Sequence, residues 1–299
     1  MSPSRRRFLH TLAAGAVASS VPHWAGARTF DPHGEQAPPV RDPRYREWST
    51  MALGETKRLG CSYADIRFTR NRAQSIGVRN GLILRGGGGF GGGDATETYG
   101  FGVRVIHSGV WGFASSPLVT PEEIKRVAAV AVDVARASAI AKKRDVQLAP
   151  VPAYDQFWQV EIEKDPWSVP LEEKVEHLRT VTSTMQKNAS VLFAVASMSF
   201  EHEWKYLATS EGSFIEQVFH FADCVAEATA RTGTQVKTRS FERLGGAGYE
   251  FLLKANLPGH AERIAGNNLG LGAVGNGSSS TSQEHRASGG FRPSGQDVA

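Results

Sequence analysis

Glu201-His202-Glu203 is the most compact grouping of imidazole and carboxylates in this chain. Those residue types ligate divalent metals and carry out general acid–base chemistry. The apolar residues around them alternate, which predicts a strand. A strand sends Glu201 and Glu203 to one face and His202 to the other, so the three cannot meet on one ion. Gln283-Glu284-His285 lies in a Gly/Ser-rich tail with no second ligand near it. His107, His177, His220 and His260 each stand alone and read as surface or packed histidines. There is no G-x-S-x-G elbow and no P-loop. Gly86–Gly93, broken only by Phe90, contains a G-x-G-x-x-G match, but no helix follows it. It therefore reads as a mobile loop between strands, not as a nicotinamide or phosphate site. Cys61 and Cys224 could pair in an oxidising compartment, but two unpaired structural thiols is the favoured reading. No catalytic residue, metal ligand or cofactor is assigned to this chain.

The elements that would position such residues begin with a leader. Ser4-Arg5-Arg6-Arg7-Phe8-Leu9-His10 resembles a twin-arginine export motif, with Arg5, Arg6, Phe8 and Leu9 as its defining residues. An Ala/Gly-rich run follows, and Ala25-Gly26-Ala27 forms a cleavage box between small residues at Ala25 and Ala27. Residues 1–27 read as a signal peptide and 28–42 as a Pro-rich linker, so the expected location is periplasmic or otherwise exported. The formal charge of +4 owes three units to the leader arginines, which leaves +1 on the rest. That near-neutral balance gives no footing for nucleic acid. No later stretch has the length of a membrane span.

Between residues 43 and 265 the pattern is helix, strands, helix, crossing segment, helix, strands. Tyr45, Trp48, Met51, Ala52, Glu55 and Leu59 recur at helical spacing, and Gly60 ends that helix. Tyr63–Phe68 and Gln74–Arg79 read as two strands, with Asn80-Gly81 as a hairpin turn. Thr120-Pro121-Glu122-Glu123 starts a second helix that runs to about Lys142. Residues 144–170 form a crossing segment in which Tyr154, Phe157, Trp158 and Trp167 read as packing residues. A third helix starts at Pro170. Val191–Phe200, Trp204–Thr209, Ser213–Phe221 and Val225–Thr234 read as a four-run meander, turning at Ser210-Glu211-Gly212. Tyr249 to Ala265 is helical apart from Pro258-Gly259. The fold class is α+β: a largely antiparallel sheet with helices packed on it. Residues 266–299 change character abruptly and read as a disordered tail, consistent with a reading frame lost or truncated near Ala265.

Residues 99–116, YGFGVRVIHSGVWGFASS, form the most specific block. Alternation on both sides of Ser108-Gly109 predicts a β-hairpin. Its distinctive residues are Gly102, Arg104, Gly109, Trp111, Gly112 and Phe113. With Tyr63-Ala64-Asp65-Ile66-Arg67, Arg79-Asn80-Gly81, Ala208-Thr209-Ser210-Glu211-Gly212 and Gly245-Gly246-Ala247-Gly248-Tyr249-Glu250, the stretch from Trp48 to Ala265 resembles the N-terminal domain of the TldD/PmbA family. This family is also called modulators of DNA gyrase. Ser210, Glu211 and Gly212 match the family's N-S-E-G turn, with Thr209 where Asn is usual.

The resemblance implies a zinc-dependent peptidase that cuts unfolded peptides, often as a homo- or hetero-oligomer of related subunits. The family's zinc motif, His-Glu-x-x-x-His, belongs to a C-terminal domain and does not occur in this sequence. The N-terminal domain helps enclose the active site and form the subunit interface. The resemblance therefore implies a domain inactive alone. The alternative is an exported, non-catalytic partner or peptide-binding subunit.

Overall fold

A computed structural model of the protein describes residues 39–84 and 92–266. The twin-arginine motif, its cleavage box, most of the glycine run and the tail beyond Gly266 lie outside the described residues. Eight strands form one sheet: β1 (Tyr63–Arg79), β2 (Leu82–Ile83), β3 (Gly92–His107), β4 (Val110–Ser116), β5 (Asp155–Gln159), β6 (Val191–Thr209), β7 (Phe214–Thr232) and β8 (Gln235–Gly245). The order is β4-β3-β1-β6-β7-β5, with β2 on β1 and β8 on β7. Every pairing is antiparallel except β5 with β7. Among the described residues five α-helices accompany the sheet: α1 (Arg44–Arg58), α2 (Pro121–Ser138), α3 (Leu171–Gln186), α4 (Glu250–Ala255) and α5 (Leu257–Ala265). This is the open, mostly antiparallel α+β architecture that the patterning predicts.

The strands are longer than expected. Tyr63–Phe68 and Gln74–Arg79 are two ends of one continuous β1, paired with β6 without a break from Asp65↔Thr209 to Arg79↔Val195. The four meander runs are likewise two strands, β6 and β7. Polar residues interrupt the apolar alternation in mid-strand, but the backbone ladder continues through them because hydrogen bonding does not depend on side-chain polarity. Two further strands carry no amphipathic signal. β5 lies inside the crossing segment and is exposed at every position, and so is nearly all of β8. Tyr154, Phe157 and Trp158 consequently sit at the surface, with Trp158 against the Phe219 ring at 5.1 Å. Gly92 and Gly93, expected in the loop, begin β3.

Helix ends follow local chemistry. Thr120 caps α2, its Oγ1 accepting from the Glu123 N–H at 3.3 Å, with Pro121 in the first turn. The last expected helix is two. Asn256, at φ 48°, breaks the chain before Pro258, which then sits in the first turn of α5. The proline follows the break instead of making it.

Cross-strand partners share a face, so the register places all the helices on one side of the sheet. Two separate cores form there. α1 and α2 cover Ile66, Phe68, Val103, Val105, Tyr206 and Ala208 at one end. α3 and α5 cover Ile76, Val78, Ala196, Met198, Cys224 and Ala226 at the other. Among the described residues no helix covers the opposite face.

Candidate functional site

Between the two cores a row of polar side chains crosses the helix-bearing face. Direct pairing sets Glu97 opposite Arg72, Arg72 opposite His202, and His202 opposite His220, across β3, β1, β6 and β7. Arg70 stands one step along β1 on the same face, and its Nε donates to Glu97 Oε1 at 2.8 Å. The His202 and His220 rings meet edge-on, with centroids 4.9 Å apart. A 3-10 turn at Pro166–Ser168 brings Trp167 over Arg72, whose guanidinium carbon lies 4.2 Å from the ring centroid. Lys174, on α3, is almost wholly buried; its Nζ donates to Gln74 Oε1 and lies 5.0 Å from the Phe200 ring centroid. Arg70, Arg72, His202 and His220 are themselves half-buried, so water reaches the row. His220 was read as solitary because its partner lies on another strand. Glu201 and Glu203 do project to the opposite face, away from His202.

Burial pushes the His202 imidazole down to about 4, with the charges of His220, Arg70 and Arg72 adding to the effect against Asp165. Burial also lowers His220, and lowers Lys174 to about 8. Both imidazoles are therefore neutral near pH 7. A histidine depressed in the folded state costs nothing above its ordinary value, where folded and unfolded chains are both unprotonated. As pH falls from about 6.5 towards 4, the unfolded chain takes up protons that the folded chain resists, so stability falls. Allowing for solvent screening at a half-buried ring, the loss through His202 between pH 7 and 4.5 is about 1–2 kcal/mol. Urea midpoints at the two pH values should differ less in His202→Gln than in the parent chain. An equal difference in both would remove His202 as the cause.

The residues singled out in the sequence lie elsewhere and serve structure. Ser108 (φ 50°) and Gly109 (φ 75°) make the two-residue turn between β3 and β4. Arg104 and Trp111 meet on the helix-free face. Arg104 donates from Nε and Nη2 to Asp65 Oδ2 at 2.8 and 2.7 Å, and its guanidinium lies 4.7 Å from the Trp111 ring centroid. Gly102 faces the Phe113 ring, and Gly112 faces α2. In the turn after β6, Ser210 Oγ accepts from the Ala64 N–H at 3.0 Å, which ties the turn to the start of β1. Gly212 adopts φ 98°. Thr209 Oγ1 accepts from the Ser213 N–H at 3.3 Å, the kind of turn-closing bond an Asn could also supply. Glu211 is exposed.

Residues 64–135 match the PmbA/TldA metallopeptidase domain 1, and residues 164–269 match the central domain of the same metallopeptidases. The chain belongs to the TldD/PmbA family. Metalloprotease MJ0996 of Methanocaldococcus jannaschii is 29% identical over 196 residues, covering 63% of this chain and 40% of its own length. Two solved structures share the fold, both of candidate modulators of DNA gyrase. The one from Thermotoga maritima superposes with a TM-score of 0.55 at 16% identity, over 74% of this chain and 47% of its own. The one from Bacteroides thetaiotaomicron gives 0.57 at 14%, over 75% and 50%. This TldD/PmbA chain thus spans about half the length of the relatives it matches or less. The boundary between the two matched domains falls in the crossing segment, and the polar row joins strands from both.

A metallopeptidase family raises the question of zinc. Among the described residues no group of three or more His, Cys, Asp or Glu side chains is placed to hold a metal ion. His202 and His220 offer two imidazoles, but the side chain opposite His202 is the cation Arg72, not a third donor. The row does not fit a zinc centre. Glu97, Arg70, Arg72 and Lys174 were missed in the sequence, and His220 was read as solitary. The available signal was the matched loss of apolar alternation in mid-β1 and mid-β6.

Proposed function

We infer that this chain provides the non-metal half of a TldD/PmbA-type peptidase: the sheet that receives an unfolded peptide and meets a related subunit. The observation that carries this is the match of the chain to domain 1 and the central domain of these metallopeptidases, which meet on one sheet. On this reading the chain alone does not hydrolyse peptides, and activity needs a metal-holding domain of the same family. The basic leader, Arg5 and Arg6 above all, supports export to the periplasm. The sheet face that no described helix covers favours the second reading, a non-catalytic binding partner, because it offers a surface to another chain.

One preparation tests both readings. The purified chain should bind less than one zinc per ten molecules and leave an unfolded peptide uncut. Mixed with a complete TldD/PmbA subunit it should co-elute by size exclusion. Stoichiometric zinc with chelator-sensitive cleavage by the chain alone would overturn the first reading. Failure to co-elute would remove the partner role. For export, Arg5→Lys with Arg6→Lys should hold the chain in the cytoplasmic fraction; unchanged fractionation would exclude the twin-arginine route.

A further inference from the structure

The polar row has more positive charge than its own acids neutralise. Glu97 is taken by Arg70. Glu173 lies 3.5 Å from Lys164 Nζ. Glu250 accepts the N–H groups of Gly248 and Lys164. Asp165 Oδ1 caps its own turn by accepting the Trp167 N–H at 3.0 Å. That leaves the cations Arg72 and Lys174 facing Asp165, with Glu173, already near Lys164, adding a weaker pull on Lys174. Among the described residues neither cation has a carboxylate within ion-pairing distance. Lys174 is buried beside the row, where its Nζ donates to Gln74, and adds positive charge near neutral pH. Arg72 is half-buried and lies over the Trp167 ring, and its guanidinium carries the planar set of donors that can form a fork. Each neutral imidazole of the His202–His220 pair adds one N–H donor. A divalent cation would meet repulsion here, whereas an oxyanion would meet a charged fork and two neutral donors.

We propose that this row binds a carboxylate of an unfolded peptide, with Arg72 as the charged anchor and His202 and His220 as supporting donors. The proposal rests on the peptide-handling role inferred above and names the chemical group recognised. It places peptide contact on the helix-bearing face, at the junction of the two family domains.

Binding of a fluorescent, neutral decapeptide to the full chain, followed by anisotropy, tests it. The free-acid form should bind at least about tenfold more tightly than its C-terminal amide. An amide carrying one internal Glu shows whether a side-chain carboxylate serves as well. Arg72→Met should weaken the free acid about tenfold and leave the amide unchanged, while Arg72→Lys should recover part of the loss. His202→Gln gives a second, milder variant should Arg72→Met fail to fold. Equal binding of acid and amide by the parent chain would overturn the proposal while leaving the peptide-handling role standing. Failure of both forms to bind would instead count against that role. Inorganic phosphate that saturates the row without competing with the peptide would overturn the assignment to a peptide carboxylate.

Discussion

Gly112→Ala should strongly destabilise the folded chain and cut its soluble yield. Gly112 lies in β4 and faces α2, where an added Cβ would stand 2.1 Å from the Ala131 carbonyl oxygen and 2.7 Å from the Ala135 nitrogen. Both are helix backbone atoms, so no side-chain rotation relieves the clash. Either α2 lifts from the sheet or β4 leaves it. Lifting α2 uncovers Ile124, Val127, Ala128, Ala131, Val132 and Ala135, all essentially buried. The cost is roughly 3 kcal/mol or more, against a total stability of about 5–15 kcal/mol for an ordinary domain. Gly54 is the control. It sits in α1 with nothing within 4 Å of an added Cβ, so Gly54→Ala should stabilise by roughly 0.5–1 kcal/mol. Soluble yield and urea midpoints of the two variants decide the matter. A Gly112→Ala midpoint equal to that of the parent would show that α2 does not rest on β4 as described.

Arg104→Met should be the next most damaging change. Asp65 is 1% exposed, and its Oδ2 receives both Arg104 donors. Arg67 reaches Oδ1 only at 3.4 Å. Removing Arg104 leaves a buried carboxylate with only Arg67 and the neighbouring Tyr63 hydroxyl; stripping a buried ion of its partner altogether costs about 3–5 kcal/mol. With Arg67 still present, about 2–4 kcal/mol is expected. Most of that cost is the stranded charge, so adding Asp65→Asn to Arg104→Met should recover stability. A double variant no better than the single would locate the damage in the lost packing of Arg104 on Trp111 instead.

How much of this was legible in the sequence depended on the range of the interaction. The Ser108-Gly109 turn, the Thr120 cap and the Ser210-Glu211-Gly212 turn are set within a few residues, and each stood where the sequence placed it. The first three helices did too, because their apolar faces repeat within one element, whereas the last divided at Asn256. β5 and β8 gave no such signal, since neither buries a face. β1 and β6 were divided where Arg70, Arg72 and His202 break the apolar alternation, although the ladder runs on through them. The pairing of His202 with His220 and the stacking of Trp167 on Arg72 join distant segments. Burial and register create them, and neither is written in local spacing. Gly112 was legible as a small residue in a strand, but the helix backbone lying against it was not.

The central place of β1 has a consequence for synthesis. Asp65 must wait for Thr209, 144 residues later, before the β1–β6 ladder can close. At ribosomal rates of about 5–20 residues per second, that interval is roughly 7–30 s. Once β4 has been made, the growing chain holds the β4–β3–β1 half with one long row of β1 amides and carbonyls unpaired, a template for association with other nascent chains. Until β6 emerges, this chain depends on whatever shields that row.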